Sequence, residues 1–294
     1  GRFTRTDTEL QPHYATPLDR AAMPQDPALQ NQIHYLQTQA HYPACRNTDV
    51  TYYGDTNAAL EAQKTDLRKA QHFIFMEYHA IEDSIAWQGI EDILAERAAA
   101  GVEVRVFYDD MGSIGFVDTA FAKKLQQRGI QCRVFNPIVP VLNVFMNNRD
   151  HRKITVIDGQ VGYTGGYNLA DEYFNLTHPY GRWKDSGVRL EGDAVRNLTL
   201  IFLEMWGTTQ KEMPAIEPYL PAIRYTAREA ATVLPYADNP LDDKRVGEDV
   251  YLNFINSAQR YVYITTPYLI LSDEMQRALV LAAQRGVDVR IITP

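Results

Sequence analysis

The chain has 294 residues, 45% of them hydrophobic, and a mean hydropathy of −0.33, which suits a globular protein with a sizeable core and excludes a disordered one. A net charge of −8 and a pI near 5.4 argue against broad attraction to nucleic acid, and no nucleic-acid partner is expected. There is no long apolar run and no apolar stretch at the start, so the chain as given is expected to be soluble, without a membrane span or signal peptide.

Cys45 and Cys132 stand far apart with no C-x-x-C, which suggests neither a thiolate metal site nor a disulfide scaffold and fits a reducing, cytoplasmic setting. His72, Glu77 and His79 lack the helical spacing of H-E-x-x-H, and neither a metal nor another cofactor is expected.

Residues 1–44 are polar, punctuated by Pro12, Pro17, Pro24, Pro27 and Pro43, and read as a lead-in with one helix over 28–39. A short strand is predicted at 49–53 and an amphipathic helix at 56–70. Residues 72–78 are nearly all apolar or aromatic, as in a strand buried on both faces. Function gathers at the carboxyl ends of strands in open α/β sheets, so Glu77 and Tyr78 at this strand's end are candidate substrate-binding residues. A helix at 86–100, stopped by Gly101, leads to a strand at 102–108. The Asp109-Asp110-Met-Gly-Ser113 turn sits at a strand's carboxyl end, where acids can face a site. Asp and Ser are also what a helix N-terminus selects, and capping of a following helix at 117–128 is the favoured reading. A strand at 131–135 precedes the apolar run 137–146, which suits an acyl-chain groove, a bilayer contact or a buried crossover.

The next stretch carries the chemistry. Residues 151–157 are rich in β-branched side chains, Asp158-Gly159 is a favoured two-residue turn, and 160–164 return. Alternation puts His151, Lys153 and Thr155 on one face and Arg152, Ile154 and Val156 on the other, so an imidazole and an ammonium project together. Gly165-Gly166 permits close backbone approach, and the Asn168 amide can donate to an oxyanion. These groups suit a phosphoryl group. Asp158 reads first as a turn residue that holds the hairpin together. Arg149, Arg152, Arg182 and Lys184 are further cations expected near this hairpin.

His151-x-Lys153, Asp158, and Gly165-Gly166-x-Asn168 in this spacing resemble the HKD motif of the phospholipase D superfamily. Asn148 to Gly159, Tyr163 to Tyr173, Trp183-Lys-Asp185 and Thr266-Pro267-Tyr268 resemble bacterial cardiolipin synthases in particular. The resemblance implies an α/β fold, a phospholipase D-like mixed sheet flanked by helices. It implies catalysis by His151, Lys153, Asp158 and Asp185, with Gly165, Gly166, Asn168, Glu77 and Tyr78 binding substrate. Asp185 is the candidate to hold the second ring nitrogen of His151. The implied reaction forms cardiolipin from two phosphatidylglycerol molecules through a phosphatidyl-histidine. The implied partners are an anionic phospholipid and the cytoplasmic face of the bacterial cell membrane. The alternatives are a hydrolytic phosphodiesterase acting on phospholipid or nucleic acid, and an inactive fragment.

A strand pattern opens at Asp185, and a helix follows over 193–206. Residues 213–243, proline-bearing and acidic, read as a linker. Beyond it the chain repeats itself: Ala258-Gln-Arg-Tyr-Val-Tyr-Ile264 echoes Ala70-Gln-His-Phe-Ile-Phe-Met76, and Arg285-Gly-Val-Asp-Val-Arg-Ile291 echoes Ala100-Gly-Val-Glu-Val-Arg-Val106. The expected organisation is a lead-in (1–44), a first phospholipase D-like unit (45–212), a linker (213–243) and the start of a second unit (244–294) with the copy incomplete. A missing second half bearing another HKD motif, or a homodimer, would complete the site.

Overall fold

The computed structural model describes residues 2–118, 120–137, 149–213, 215–239 and 244–294, with the side chains of Arg2 and Phe3 left aside. Most of the apolar run at 137–146 lies outside the described residues.

Seven strands form one mixed sheet: β1 (Thr48–Tyr53), β2 (Phe73–Tyr78), β3 (Glu103–Asp109), β4 (Gln131–Phe135), β5 (Lys153–Ile157), β6 (Val161–Gly165) and β7 (Gly187–Gly192), in the order β1-β7-β6-β5-β2-β3-β4. The β2-β3-β4 part is parallel and the remaining pairings are antiparallel. Both faces are covered, which explains why β2 is buried at every position. One face packs Leu60 and Leu67 of α3 (Thr56–Leu67), Trp87, Ile90 and Leu94 of α4 (Ile85–Ala99), and Phe121 and Leu125 of α5 (Phe121–Gln127). The other packs α6 (Val195–Thr208), together with Leu10 of α1 (Arg2–Leu10) and Leu36 of α2 (Pro27–Thr38).

Several elements depart from the sequence reading. The helix expected over 117–128 begins only at Phe121, because residues 111–116 turn back with Phe116 N–H on Ser113 O and an Ile114–Val117 bridge. The lead-in holds a second helix that the sequence reading did not include, α1, polar overall, which docks on α6 where Gly207 leaves room for Thr6. The stretch read as a linker clasps the sheet. Asp49 on β1 accepts from Arg228 and Glu229 N–H, from Arg228 Nε and from the Tyr225 hydroxyl, while Val233 pairs with Cys45. Apart from a 3-10 turn at Glu217–Tyr219 its described residues form no regular helix or strand, yet Val233, Leu234 and Tyr236 still pack against the apolar face.

Residues after 244 form α7 (Val246–Ser257), β8 (Tyr261–Thr265), α8 (Asp273–Gln284) and β9 (Asp288–Ile292), with β8 and β9 parallel around a small core of Ile255, Ala278, Leu279, Ala282 and Val287. This order repeats α3-β2-α4-β3. α7 meets α2 through Gln32, which donates to Val250 O and accepts from Asn253 Nδ2.

Candidate functional site

The β5–β6 hairpin turns through Asp158 at φ 52° and Gly159 at φ 63°, the left-handed pair that a two-residue turn between twisted strands requires. The Asp158 carboxylate accepts from three successive backbone N–H groups, Gln71 (2.8 Å), His72 (2.7 Å) and Phe73 (2.9 Å). It therefore ties the hairpin to the start of β2, at the opposite end of β5 from Lys153.

At the near end His151 lies two residues before the strand rather than within it. As a residue it is solvent-exposed, although its ring packs against His79 and Lys153, whereas Lys153 is only 6% exposed. Lys153 Nζ folds back to donate to His151 O (2.8 Å) and lies 3.2 Å from His151 Nδ1. Burial pushes the Lys153 ammonium down to about 8, against the opposing charges of Asp150 and Asp185. Burial also lowers His151, to about 4, and the nearby Lys153 and His79 add to this. At neutral pH the site thus holds a neutral imidazole beside an ammonium.

Asp185 accepts from Ser186 N–H (2.8 Å) and from Trp183 Nε1 (3.3 Å). No hydrogen bond joins it to His151 among the described residues, where His151 Nδ1 faces Lys153 instead. It sits hard against Gly166, where a Cβ would fall 2.1 Å from Asp185 Oδ1. At Gly165 a Cβ would fall 2.6 Å from Ser186 O, so this glycine serves the close passage of the neighbouring chain. Asn168 is buried; its Oδ1 accepts from Ala80 N–H and its Nδ2 donates to Tyr173 OH (2.9 Å), which leaves its second amide N–H without a partner among the described residues. The Tyr173 ring in turn packs on Trp183 at 4.6 Å, closing a chain from Asn168 to Asp185.

The other expected residues divide by face. Tyr78 shares the face of Lys153 and Thr155 but is spent inside it, bonded to Thr155 Oγ1 and Gln63 Nε2. Glu77 points the opposite way, fully buried, 3.9 Å from Arg152. Burial and the neighbouring Asp150 push its carboxyl well above the usual range. Arg152 does not join the cations of the site. It reaches across to Glu204 on α6 and to Asp238 O. Lys184 is likewise engaged elsewhere, donating to Gly54 O.

Three further groups stand near the site: Asp109, read from the sequence as a capping residue in preference to a site acid, and Asp150 and His79, which the sequence reading left out of it. Asp109 accepts from Asp150 N–H (2.9 Å) and pairs with Arg149, so it anchors the approach to His151 besides closing its own turn. Asp150 is wholly buried between Glu77 and Arg152. His79, just past β2, lies ring to ring with His151 at 4.6 Å. A histidine directly after a buried strand's polar end was the available signal for it. A cleft of about 670 Å³ reaches this corner; His151, Lys153 and Thr164 line one part, and Val188, Leu190, Leu198 and Ile201 another.

Among the described residues no cluster of three or more His, Cys, Asp or Glu is placed to hold a metal, and no helix is long and apolar enough to cross a membrane.

Comparison with known proteins places the geometry. A family model described as cardiolipin synthase, PLD-like domain, matches residues 64–206 and 251–294. An uncharacterised protein of Streptococcus mutans is 47% identical over 86% of the chain, covering 55% of its own length. A cardiolipin synthase of Halalkalibacterium halodurans is 34% identical over 86% of the chain and is matched over 50% of its length. The chain therefore spans about half the length of these curated relatives. The crystal structure of phosphatidylserine synthase from Haemophilus influenzae, 12% identical, superposes over 100% of the chain and 66% of its own with a TM-score of 0.59, a likeness of fold. The chain belongs to the cardiolipin synthase family of phospholipase D-like domains.

Proposed function

We propose that this chain carries a phosphatidyl-transfer site in which His151 is the nucleophile, and that the reaction joins two phosphatidylglycerol molecules into cardiolipin. The observation that carries this reading is the pairing of a neutral imidazole with a buried ammonium 3.2 Å away on the HKD spacing. Family membership and relatives named cardiolipin synthase support the substrate class. The apolar walls of the cleft at His151 support a lipid over a polar substrate.

In the first step His151 Nε2 attacks the phosphodiester phosphorus; a P–N bond forms, the P–O bond to glycerol breaks, and glycerol leaves once its oxygen is protonated. In the second, a hydroxyl of another phosphatidylglycerol attacks the same phosphorus, loses its proton and releases His151. Splitting one displacement into two through a covalent histidine lowers each barrier. Lys153 and the second amide N–H of Asn168 stabilise the charge that grows on the nonbridging oxygens. Attack through Nε2 requires the ring proton on Nδ1, whereas an ammonium facing Nδ1 favours the opposite tautomer. In this reading Lys153 has to turn from Nδ1 to the incoming phosphate before Nε2 can attack. Asp158 holds the hairpin, and Asp185 sets the charge around Lys153.

The test is product analysis by mass spectrometry after incubation with phosphatidylglycerol in mixed micelles. Cardiolipin and glycerol in equal amounts, lost in His151→Ala, are expected. Phosphatidic acid alone would replace transfer by hydrolysis, and cleavage of DNA dependent on His151 would overturn the lipid assignment.

A further inference from the structure

His79 is clamped from two sides. Its main-chain N–H donates to Arg152 O (3.1 Å), and its ring Nδ1 lies 2.7 Å from Asp150 O. A carbonyl only accepts, so Nδ1 carries the proton of this ring. On the other side the backbone closes at Gly112, where a Cβ would come within 2.3 Å of His79 O and 2.7 Å of ring atoms Cε1 and Nε2. That turn is fixed by Asp109, which accepts from Met111 and Gly112 N–H and from the N–H of Asp150 as well. The same few residues thus hold the His79 ring and the backbone leading into His151. The two rings meet with centroids 4.6 Å apart, tilted by 49°.

We propose that His79 is a positioning residue for the nucleophile: pinned by the Asp150 carbonyl and backed by Gly112, its ring holds the His151 imidazole in one orientation and keeps water off one of its faces. The catalytic consequence rests on the transfer reading above; the contact itself does not.

The geometry separates this role from that of the proton donor. In an in-line displacement the leaving oxygen departs on the far side of phosphorus from the attacking nitrogen, so its acid must stand beyond the substrate. His79 packs against the nucleophile's own ring. What such a group supplies is orientation, and misplacement by about 1 Å can cost on the order of 100-fold in rate. The charged and titratable groups that bear on the His151 ring are His79 after β2 and Lys153 on β5, while Asp150 and Asp185 act on Lys153. Removing His79 both hydrates the His151 ring and takes away one of the groups that disfavour its protonation.

The experiment compares His79→Ala, His79→Phe and His79→Asn in the full chain. Phe keeps a ring without the hydrogen bond to Asp150; Asn keeps a donor in the place of Nδ1 without the ring. One readout is the NMR titration of His151 in histidine-labelled protein, and the second is kcat and KM for phosphatidylglycerol transfer. In the Ala and Asn variants the His151 midpoint is expected to climb from about 4 toward the ordinary value of about 6.5. In the same variants kcat is expected to fall roughly 10- to 100-fold with KM little changed. Phe is expected to restore most of both. An unchanged titration and kcat in His79→Ala would overturn the proposal. So would rescue by Asn and not by Phe, since His79 would then only tie down the Asp150 main chain. If the native chain transfers no lipid, the function proposed above fails, and the titration alone still decides the role of His79.

Discussion

Burial acts on His151 and Lys153 in the same direction and leaves them in opposite states. It lowers the imidazole to about 4 and the ammonium to about 8, so between those values the nucleophile is free and its partner charged. Transfer is expected to decline above pH 8 as Lys153 loses its proton. Lys153→Arg, which stays protonated there, should keep reduced activity and lose that alkaline limb in a kcat/KM profile; a limb unchanged in the Arg variant would assign it to another group. For stability, both groups bind fewer protons folded than unfolded. Each therefore makes the fold more stable as pH rises through its window, from about 4 to about 6.5 for His151 and from about 8 to about 10.4 for Lys153.

Glu77 has the opposite sign. Its folded form keeps a proton that the unfolded chain releases above about 4.3, so its contribution fades as pH rises. Urea denaturation at pH 5 and pH 8 should show Glu77→Gln losing less stability across that interval than the native chain, and equal losses would show Glu77 to be ionised. At this scale the sequence made the nearness of His151 and Lys153 readable from their two-residue spacing, although His151 itself lies before the strand and not within it. It could not show that Glu77 faces away from Lys153 toward Arg152, or that His79 returns to His151, because both depend on how β2 lies beside β5.

Among elements, the hairpin turn and the Gly-Gly passage carry the sharpest expectations. Asp158 gathers three backbone donors at the edge of β2, and hydrogen bonds to a charged acceptor contribute about 1.5–3 kcal/mol where they replace none. Asp158→Ala should lower unfolding free energy by about 2–3 kcal/mol and make the left-handed turn position unfavourable, while Asp158→Asn, which tolerates that backbone, should lose less. A loss within ~0.5 kcal/mol for Ala, the usual range for an ordinary surface substitution, would contradict the anchoring role. Gly166→Ala would drive a methyl into the Asp185 carboxylate. Transfer should fall by roughly 10-fold or more as Asp185 moves off Lys153, with cooperative unfolding retained; unaltered kinetics would show that Asp185 has room to shift harmlessly. Both turns could be read from Asp-Gly and Gly-Gly in the sequence. The start of β5 at Lys153 could not, since β-branched content stops short of saying where pairing begins.

At the scale of the whole molecule, a sheet covered by helices was legible from apolar runs alternating with amphipathic stretches, whereas its mixed character was implied only by the resemblance to the phospholipase D superfamily. The repeat found at Ala258–Ile264 and Arg285–Ile291 corresponds to the parallel β8–β9 pair and its helix α8, as its earlier copy does to β2, α4 and β3. The segment after α6 was misleading because prolines and acids look alike in a linker and in an extended strap. Only the partners of Asp49 and Val233 distinguish the two. α1 stayed invisible because it is polar overall, with Leu10 its buried apolar residue against α6.

The central claim is that His151 takes the phosphatidyl group. It is tested most directly by intact-protein mass spectrometry after brief exposure to phosphatidylglycerol and acid-free quenching, with the adduct located by peptide mapping, for the native chain and His151→Ala. The account predicts one added phosphatidyl group on the peptide containing His151, and none in the variant. An adduct that persists in His151→Ala, or maps to another residue, would contradict it.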